Sequence, residues 1–187
     1  MIDSAPPRVK IAEYEAFIAL PENADRRFEL IHGEIVEKMP NQRHGIIIFI
    51  LSGHIFNWWS AKGEPGTPGI EVRHGLPDDD ENDRIPDLSY ISPERAEPIR
   101  ERGALPIMPD LAVEIMSPDD SLSETRDKMK YYLEHGTRLS WLFIPRKKLI
   151  EVYRAGGDIE ILTAADDDTL DGGDVLPGFT VKLSVLF

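Results

Sequence analysis

The sequence contains no cysteine, and this absence excludes several kinds of chemistry at once. Disulfide bonds, thiolate nucleophiles and cysteine-based zinc sites all need a residue that the 187-residue chain does not have. The absence suits a reducing compartment, and the polar first residues, MIDSAPPRVK, lack the apolar core of a secretory signal. We therefore expect the protein to remain in the cytoplasm.

Long apolar runs are also lacking. The longest run, GIIIFILSGHIFNWW at residues 45–59, is shorter than the roughly 20 residues that span a bilayer, and it includes His54 and Asn57. We therefore expect no membrane-spanning helix and no membrane partner. With 41% hydrophobic residues, the chain is expected to form a single domain over residues 1–187, with residues 1–10 as a loose tail.

Basic residues are scarce relative to acidic ones. The chain has 21 Lys and Arg against 34 Asp and Glu, a formal net charge of −13, whereas the phosphate backbone of nucleic acids rewards basic residues. Eight acids lie at residues 78–83 and 166–168, which we expect to be solvated loops; without them, 21 cations face 26 acids. Basic residues cluster at 100–102, 126–130 and 146–148. Charge therefore permits nucleic-acid binding without indicating it.

Hydrophobic periodicity predicts an α/β (α+β) fold with a mixed β-sheet flanked by helices. An amphipathic helix, VKIAEYEAFIALPE, precedes an N-terminal β-hairpin that turns at His32-Gly33, and a largely buried helix follows at residues 44–62. A second helix at 122–135 ends before Gly136, and a hairpin then forms around Arg146 and Lys147. Three further strands are predicted near residues 70–76, 86–91 and 110–116.

Two of the predicted strands carry acids within apolar runs, RIPDLSYI at 84–91 and PDLAVEIMSP at 109–118. A buried acid is costly unless it binds something, and a hard cation such as Mg²⁺ takes one or two carboxylates together with water and phosphate oxygens. Asp87 and Glu114 are therefore candidate ligands, with the carbonyl oxygen of Ile115 as a third. The alternatives are that Asp87 caps a turn and that Glu114 pairs with a buried arginine such as Arg73. The occurrence of both acids on adjacent strands favours the metal.

A series of strings runs through nearly the whole chain, from about residue 11 to 187: FELIHGEIVEKMP, RIPDLSYI, PDLAVEIMSP, DKMKYYLEHG, WLFIP, IEVYRAG and VLPGFTVKLSVLF. In this order and spacing they resemble the Uma-type family of restriction endonucleases, a branch of the PD-(D/E)XK nuclease superfamily. The resemblance implies a restriction-endonuclease-like αβββαβ core and divalent-metal-dependent cleavage of phosphodiester bonds. The superfamily acids fall on Asp87 and Glu114.

The superfamily pattern places a lysine two residues after Glu114, but this chain has Met116 there. The resemblance suggests that Lys128, on the following helix, supplies the missing amine. It also suggests that Glu34, which follows the hairpin glycine, is an additional ligand of the metal or of water. Two further candidates are weaker. His44 begins the long helix and is a helix-start residue, a phosphate contact or a proton relay, and Asp110 is either a metal ligand or the start of a strand.

The residues and the resemblance together predict a Mg²⁺- or Mn²⁺-dependent endodeoxyribonuclease that acts on DNA. Fold analogy suggests a homodimer, because cutting two strands favours two sites. A nuclease-fold binding or regulatory module without cleavage stays open, since the chain is acidic and has Met116 in the usual lysine position. A carboxylate-pair glycosidase is disfavoured because no aromatic platform accompanies the acids. Convergence of Asp87, Glu114 and Lys128 would favour the nuclease.

Overall fold

A computed structural model describes residues 8–39 and 41–187. Its contacts divide the described residues into two compact units: a first of residues 8–39, 73–85 and 100–107, and a second of residues 41–72, 86–99 and 108–187. The single domain predicted for residues 1–187 stays a prediction. A loose tail is predicted for residues 1–10, and residues 1–7 of it lie outside the described residues.

Helices separate runs of consecutive strands along the described chain. The helices are α1 (Ile11–Ile18), α2 (Gln42–Ala61), α3 (Leu122–Glu134) and α4 (Leu183–Leu186). The strands are β1 (Phe28–Ile31), β2 (Glu34–Glu37), β3 (Thr67–Ile70), β4 (His74–Leu76), β5 (Asp79–Arg84), β6 (Leu88–Ile91), β7 (Leu111–Ile115), β8 (Leu139–Ile144), β9 (Leu149–Arg154), β10 (Glu160–Thr163), β11 (Thr169–Asp171) and β12 (Thr180–Lys182). None of the described helices is both long and apolar enough to cross a membrane.

The first unit contains a four-stranded antiparallel sheet in the order β2-β1-β5-β4, with α1 beside it. The predicted N-terminal hairpin is confirmed as β1–β2, and its turn lies at His32 and Gly33, whose φ angles are 49° and 77°. Two consecutive residues in the left-handed region match the twist of a tight hairpin. Tyr14, Phe28 and Leu30 form the small buried core of this unit.

The acidic run at 78–83 corrects the sequence-based assignment, because most of it forms β5 instead of a solvated loop. Cations distant in sequence neutralise its acids. Arg8 and Lys10 bind the Glu81 carboxylate, and Arg73 binds the fully buried carboxylate of Asp83. The strand predicted at 70–76 also divides in two, because β3 belongs to the sheet of the second unit and β4 to that of the first.

The second unit is built on a six-stranded mixed sheet in the order β10-β9-β8-β7-β6-β3. Strands β7 and β8 are parallel and the other neighbours are antiparallel, which confirms the predicted mixed sheet flanked by helices. Side chains alternate between the two faces of a strand. In β7, Leu111, Val113 and Ile115 enter the apolar core together with residues of α2, so Glu114 faces the opposite side, where α3 packs.

The sequence predicts that helix α2 is largely buried, but the structure buries only one of its faces. Asn41 caps its N-terminus by accepting a hydrogen bond from the His44 N–H. One face enters the core through five residues at spacings of three and four: His44, Ile47, Leu51, Ile55 and Trp58. The opposite face leaves Ile46, Phe49 and Phe56 exposed. Beside this outer face, residues of α2 and β3 line an apolar groove of about 780 Å³.

Candidate active site

Asp87 lies just before β6 and forms hydrogen bonds with both residues that flank Glu114 in β7. Its backbone N–H donates to the Val113 carbonyl at 2.9 Å, and its Oδ2 accepts from the Ile115 N–H at 2.7 Å. Asp87 is 1% exposed and Glu114 5%. Asp87 is thus bonded to the backbone on either side of Glu114, so the two buried acids belong to neighbouring strands, as the sequence predicts.

Helix α3 supplies two partners to the same oxygen of Glu114. The Tyr132 hydroxyl donates to Oε1 at 2.8 Å, and Nζ of Lys128 lies 2.9 Å from that atom. Residues four apart lie on one face of a helix, so Lys128 and Tyr132 reach the strand together. The structure therefore places Lys128 where the resemblance suggests, although a helical lysine is ordinarily solvated.

His44 contacts the other carboxylate. Its Nε2 lies 3.0 Å from Oδ2 of Asp87, and both side chains are buried. Helix α2 is also linked to the end of β7, because Nδ2 of its capping residue Asn41 donates to Oγ of Ser117 at 3.1 Å. His44 is thus a first-turn residue in contact with the Asp87 carboxylate, and its choice among the three roles considered stays a prediction.

A second acid on the same face of the sheet was missed by sequence reasoning. Leu142 pairs with Glu114 on one side and with Glu151 on the other, so the three side chains form a row beneath α3. The Arg126 guanidinium of α3 binds both oxygens of Glu151, and the Tyr153 hydroxyl donates to Oε2 at 2.7 Å. The Arg126 hydrogen bonds hold the pKa of Glu151 below its usual value. The signal was an acid inside the apolar string LIEVYR.

Asp110 lies just before β7, at the end of the strand remote from Glu114. Arg95 Nη1 and Arg138 Nε each donate to its Oδ1 at 2.9 Å, and the Ser92 N–H donates to Oδ2 at 2.8 Å. Burial raises the pKa of Asp110, but the hydrogen bonds from Ser92 and Arg95 outweigh it and leave the pKa lowered. This arrangement is a buried ion-pair network at a strand start, and the metal-ligand role considered for Asp110 finds no support in it.

The remaining sequence candidates lie as follows. Glu34 begins β2 in the first unit and is exposed, so its role as an additional ligand stays a prediction. Arg73, considered as a partner of Glu114, donates instead to Asp83 and Glu15 in the first unit. Met116, in the usual lysine position, is held by its backbone, whose N–H donates to the Phe143 carbonyl at 3.0 Å.

The donor set can be tested against a divalent cation. Magnesium is bound through one or two protein carboxylates, with water and substrate phosphate completing its shell, and Asp87 and Glu114 supply two such groups. In residues 8–39 and 41–187, no three or more His, Asp or Glu side chains form a group able to hold a metal ion. Zinc sites use three or four protein ligands, so this set fits magnesium or manganese better than zinc.

Known proteins resemble the chain over almost its full length. The family model described as "Uma2: Putative restriction endonuclease" matches residues 13–185. A solved structure, titled a "putative nuclease belonging to DUF820 from Anabaena variabilis ATCC 29413", is similar with a TM-score of 0.79 and 25% identity, covering 96% of this chain and 97% of that one. Among curated proteins, none matches. The family match therefore confirms what the sequence strings indicated: the chain belongs to the Uma2 family of restriction-endonuclease-like proteins and has a nuclease fold.

Proposed function

We propose that this protein is a divalent-metal-dependent endonuclease that hydrolyses phosphodiester bonds in DNA. Two contacts carry the proposal: Asp87 accepts a hydrogen bond from the residue after Glu114, and Nζ of Lys128 lies 2.9 Å from the Glu114 carboxylate. Family membership and the nuclease fold support the same reaction class.

Asp87 and Glu114 would hold Mg²⁺ or Mn²⁺ through their carboxylate oxygens. When bound, the cation would act as a Lewis acid toward the phosphoryl group. His44 and Tyr132 orient the two carboxylates, since each contacts one carboxylate oxygen. Such supporting contacts fix ligand geometry in metal sites generally.

Lys128 is the cation that the chain itself supplies. Its ammonium is 2.9 Å from Glu114, and its side chain retains 13% exposure. A lysine ammonium sits on a flexible four-carbon stem, so it is able to turn from Glu114 to a phosphate oxygen when DNA arrives. There it would stabilise the negative charge that develops during hydrolysis.

We further propose that the enzyme acts as a homodimer through the outer face of α2. Phe49 is 79% exposed there and Phe56 59%, which is unusual for aromatic side chains on a monomer surface. Residues 42–61 contain no acid, although the chain carries a net charge of −13. A symmetric interface brings each patch against its own copy, so a face without acids avoids the self-repulsion that other faces of the chain impose.

The alternative from another class is a nuclease-fold module that binds DNA without cutting it, and Met116 in the usual lysine position favours this reading. Supercoiled plasmid and labelled single- and double-stranded oligonucleotides, incubated with Mg²⁺, Mn²⁺ or EDTA, separate the two. Metal-dependent nicking that is lost in Asp87→Asn/Glu114→Gln supports the endonuclease. DNA binding without cleavage under every condition supports the module instead.

A further inference from the structure

Three consecutive cations, Arg146, Lys147 and Lys148, form the turn that joins β8 to β9. We call these three residues the basic turn. It is the only run of three basic residues in the sequence. A 3-10 turn at Pro145–Lys147 is followed by Lys148 with φ of 49°, and all three side chains are exposed. Within the part of the chain that the structure describes, no carboxylate forms an ion pair with any of them.

The basic turn lies at the same end of the strands as the candidate active site. Strands β7 and β8 are parallel neighbours, so their carboxyl-terminal ends lie side by side. Met116, two residues after Glu114, donates its N–H to the carbonyl of Phe143, and Arg146 comes three residues after Phe143. From strand spacing and residue length, the backbones of Arg146 and Glu114 are within about 15 Å of each other.

Lys147 of the turn and Arg126 of α3 both act on the charge of one carboxylate, that of Glu151. The Arg126 hydrogen bonds have the largest effect in lowering the pKa of Glu151, and the charge of Lys147 lowers it further. Arg126 is on α3, two residues before Lys128. The basic turn is thus linked electrostatically, through Glu151, to the helix that carries Lys128.

We infer that the basic turn binds the DNA phosphate backbone beside the phosphate that is cleaved. This inference rests on the proposed function. A chain with a net charge of −13 repels a polyanion at long range, so its affinity must come from a local cationic surface. Exposed cations at this end of the strands would contact the phosphates that flank the cleaved bond. Asp87, Glu114 and Lys128 would act on the bond itself.

The test measures DNA binding in the cleavage-deficient Asp87→Asn/Glu114→Gln background. Anisotropy of a labelled duplex is recorded over a series of KCl concentrations for two variants. One is Arg146→Ala/Lys147→Ala/Lys148→Asn, in which asparagine tolerates the left-handed backbone at position 148. The matched control is Lys62→Ala/Arg100→Ala/Arg102→Ala, which removes the same three charges from other exposed positions. Circular dichroism confirms that both variants are folded.

We expect the basic-turn variant to bind at least about tenfold more weakly at low salt. The slope of log affinity against log salt should fall by up to about 2.7, because each of the three cations that contacts a phosphate contributes about 0.9. The control should keep that slope. Equal losses in both variants, or an unchanged slope in the basic-turn variant, overturn the inference.

Failure of the inference is distinguishable from failure of the proposed function. If the wild type cleaves plasmid while the basic-turn variant keeps its affinity and salt slope, DNA binds elsewhere and the nuclease assignment stands. If the wild type neither binds nor cleaves DNA with Mg²⁺ or Mn²⁺, both are overturned. Cleavage by the wild type, together with selective loss of binding in the basic-turn variant, supports both.

Discussion

Nζ of Lys128 lies 2.9 Å from Oε1 of Glu114, although the two residues belong to different elements, a helix and a strand. In the superfamily pattern the lysine follows the acid on the same strand, and here Met116 occupies that place. The structure thus brings a lysine to the acid by another route. We propose that the ammonium of Lys128 takes the electrostatic role of the lysine that the superfamily pattern places on the strand.

Replacing Lys128 by alanine should lower the single-turnover cleavage rate by at least about 100-fold, because one preorganised charge at a reacting group has an effect of this size. Lys130→Ala is the matched control, since Lys130 lies on the same helix but pairs with exposed Asp127. It should leave the rate within about twofold of the wild type. A wild-type rate in Lys128→Ala would remove Lys128 from the mechanism.

A lysine restored to the strand should partly rescue that loss. In Met116→Lys/Lys128→Ala the new amine is two residues after Glu114, and side chains two apart lie on the same face of a strand. We expect the double variant to recover about tenfold of the lost rate in the same assay. Recovery would show that a lysine on the strand can replace the lysine on the helix. A cleavage rate equal to that of Lys128→Ala would show that it cannot.

Tyr132→Phe should weaken the site while preserving the packing of α3. The change removes the hydroxyl that donates to Glu114 at 2.8 Å and keeps the buried ring. We expect the free energy of unfolding to fall by about 1 kcal/mol, as for other single hydrogen bonds, and Mn²⁺ affinity to fall several-fold. Urea unfolding and calorimetry measure the two effects. Unchanged Mn²⁺ affinity would exclude Tyr132 from orienting the ligand.

The Asp110 network should control part of the acid stability of the fold. Because the pKa of Asp110 is lowered in the folded protein, its stabilisation is complete above the ordinary aspartate pKa of about 4 and is lost as the pH falls below that value. Asp110→Asn should cost about 3 kcal/mol at pH 7 by leaving Arg95 and Arg138 without their shared carboxylate.

Urea unfolding of both proteins between pH 6 and pH 3 tests this expectation. The difference in unfolding free energy between wild type and Asp110→Asn should shrink as the pH falls through the lowered pKa of Asp110. A difference that stays constant over this range would show that the Asp110 charge contributes nothing to acid stability.

Apolar alternation and the two acidic strands predicted much of the second unit and its site from sequence. The string LAVEI forms a buried strand whose one acid faces away from the apolar core, and Lys128 shares a helix face with Tyr132, as the spacing indicates. These predictions rest on the local alternation of side chains along a strand, and this alternation does not depend on which strands pair. The resemblance added the identity of the lysine.

Non-local pairing explains what the sequence did not predict. The acids of β5 are neutralised by Arg8, Lys10 and Arg73, two of which are more than 60 residues away along the chain, so the run looked like a solvated loop. The division of residues 70–76 between two sheets also depends on distant partners. Periodicity likewise does not reveal that one apolar face of α2 stays outside the core.

The proposed dimer predicts a specific role for that outer face. Phe49→Ser/Phe56→Ser should convert a dimer to a monomer in sedimentation velocity, because it removes two exposed aromatic anchors. Ile99→Ser/Ile159→Ser removes two other exposed apolar side chains and should leave the dimer intact. A wild type that sediments as a monomer at all concentrations, or a dimer that both variants retain, would contradict an interface on α2.

The central claim is that Asp87 and Glu114 hold a divalent cation that cleavage requires. Calorimetric titration of Mn²⁺ and Mg²⁺ into the wild type and into Asp87→Asn/Glu114→Gln tests it most directly, with plasmid cleavage measured on the same preparations. We predict that the wild type binds metal and cleaves DNA and that the double variant, still folded by circular dichroism, does neither. Metal affinity and cleavage that both persist in the double variant would contradict the account and place the metal and the chemistry elsewhere.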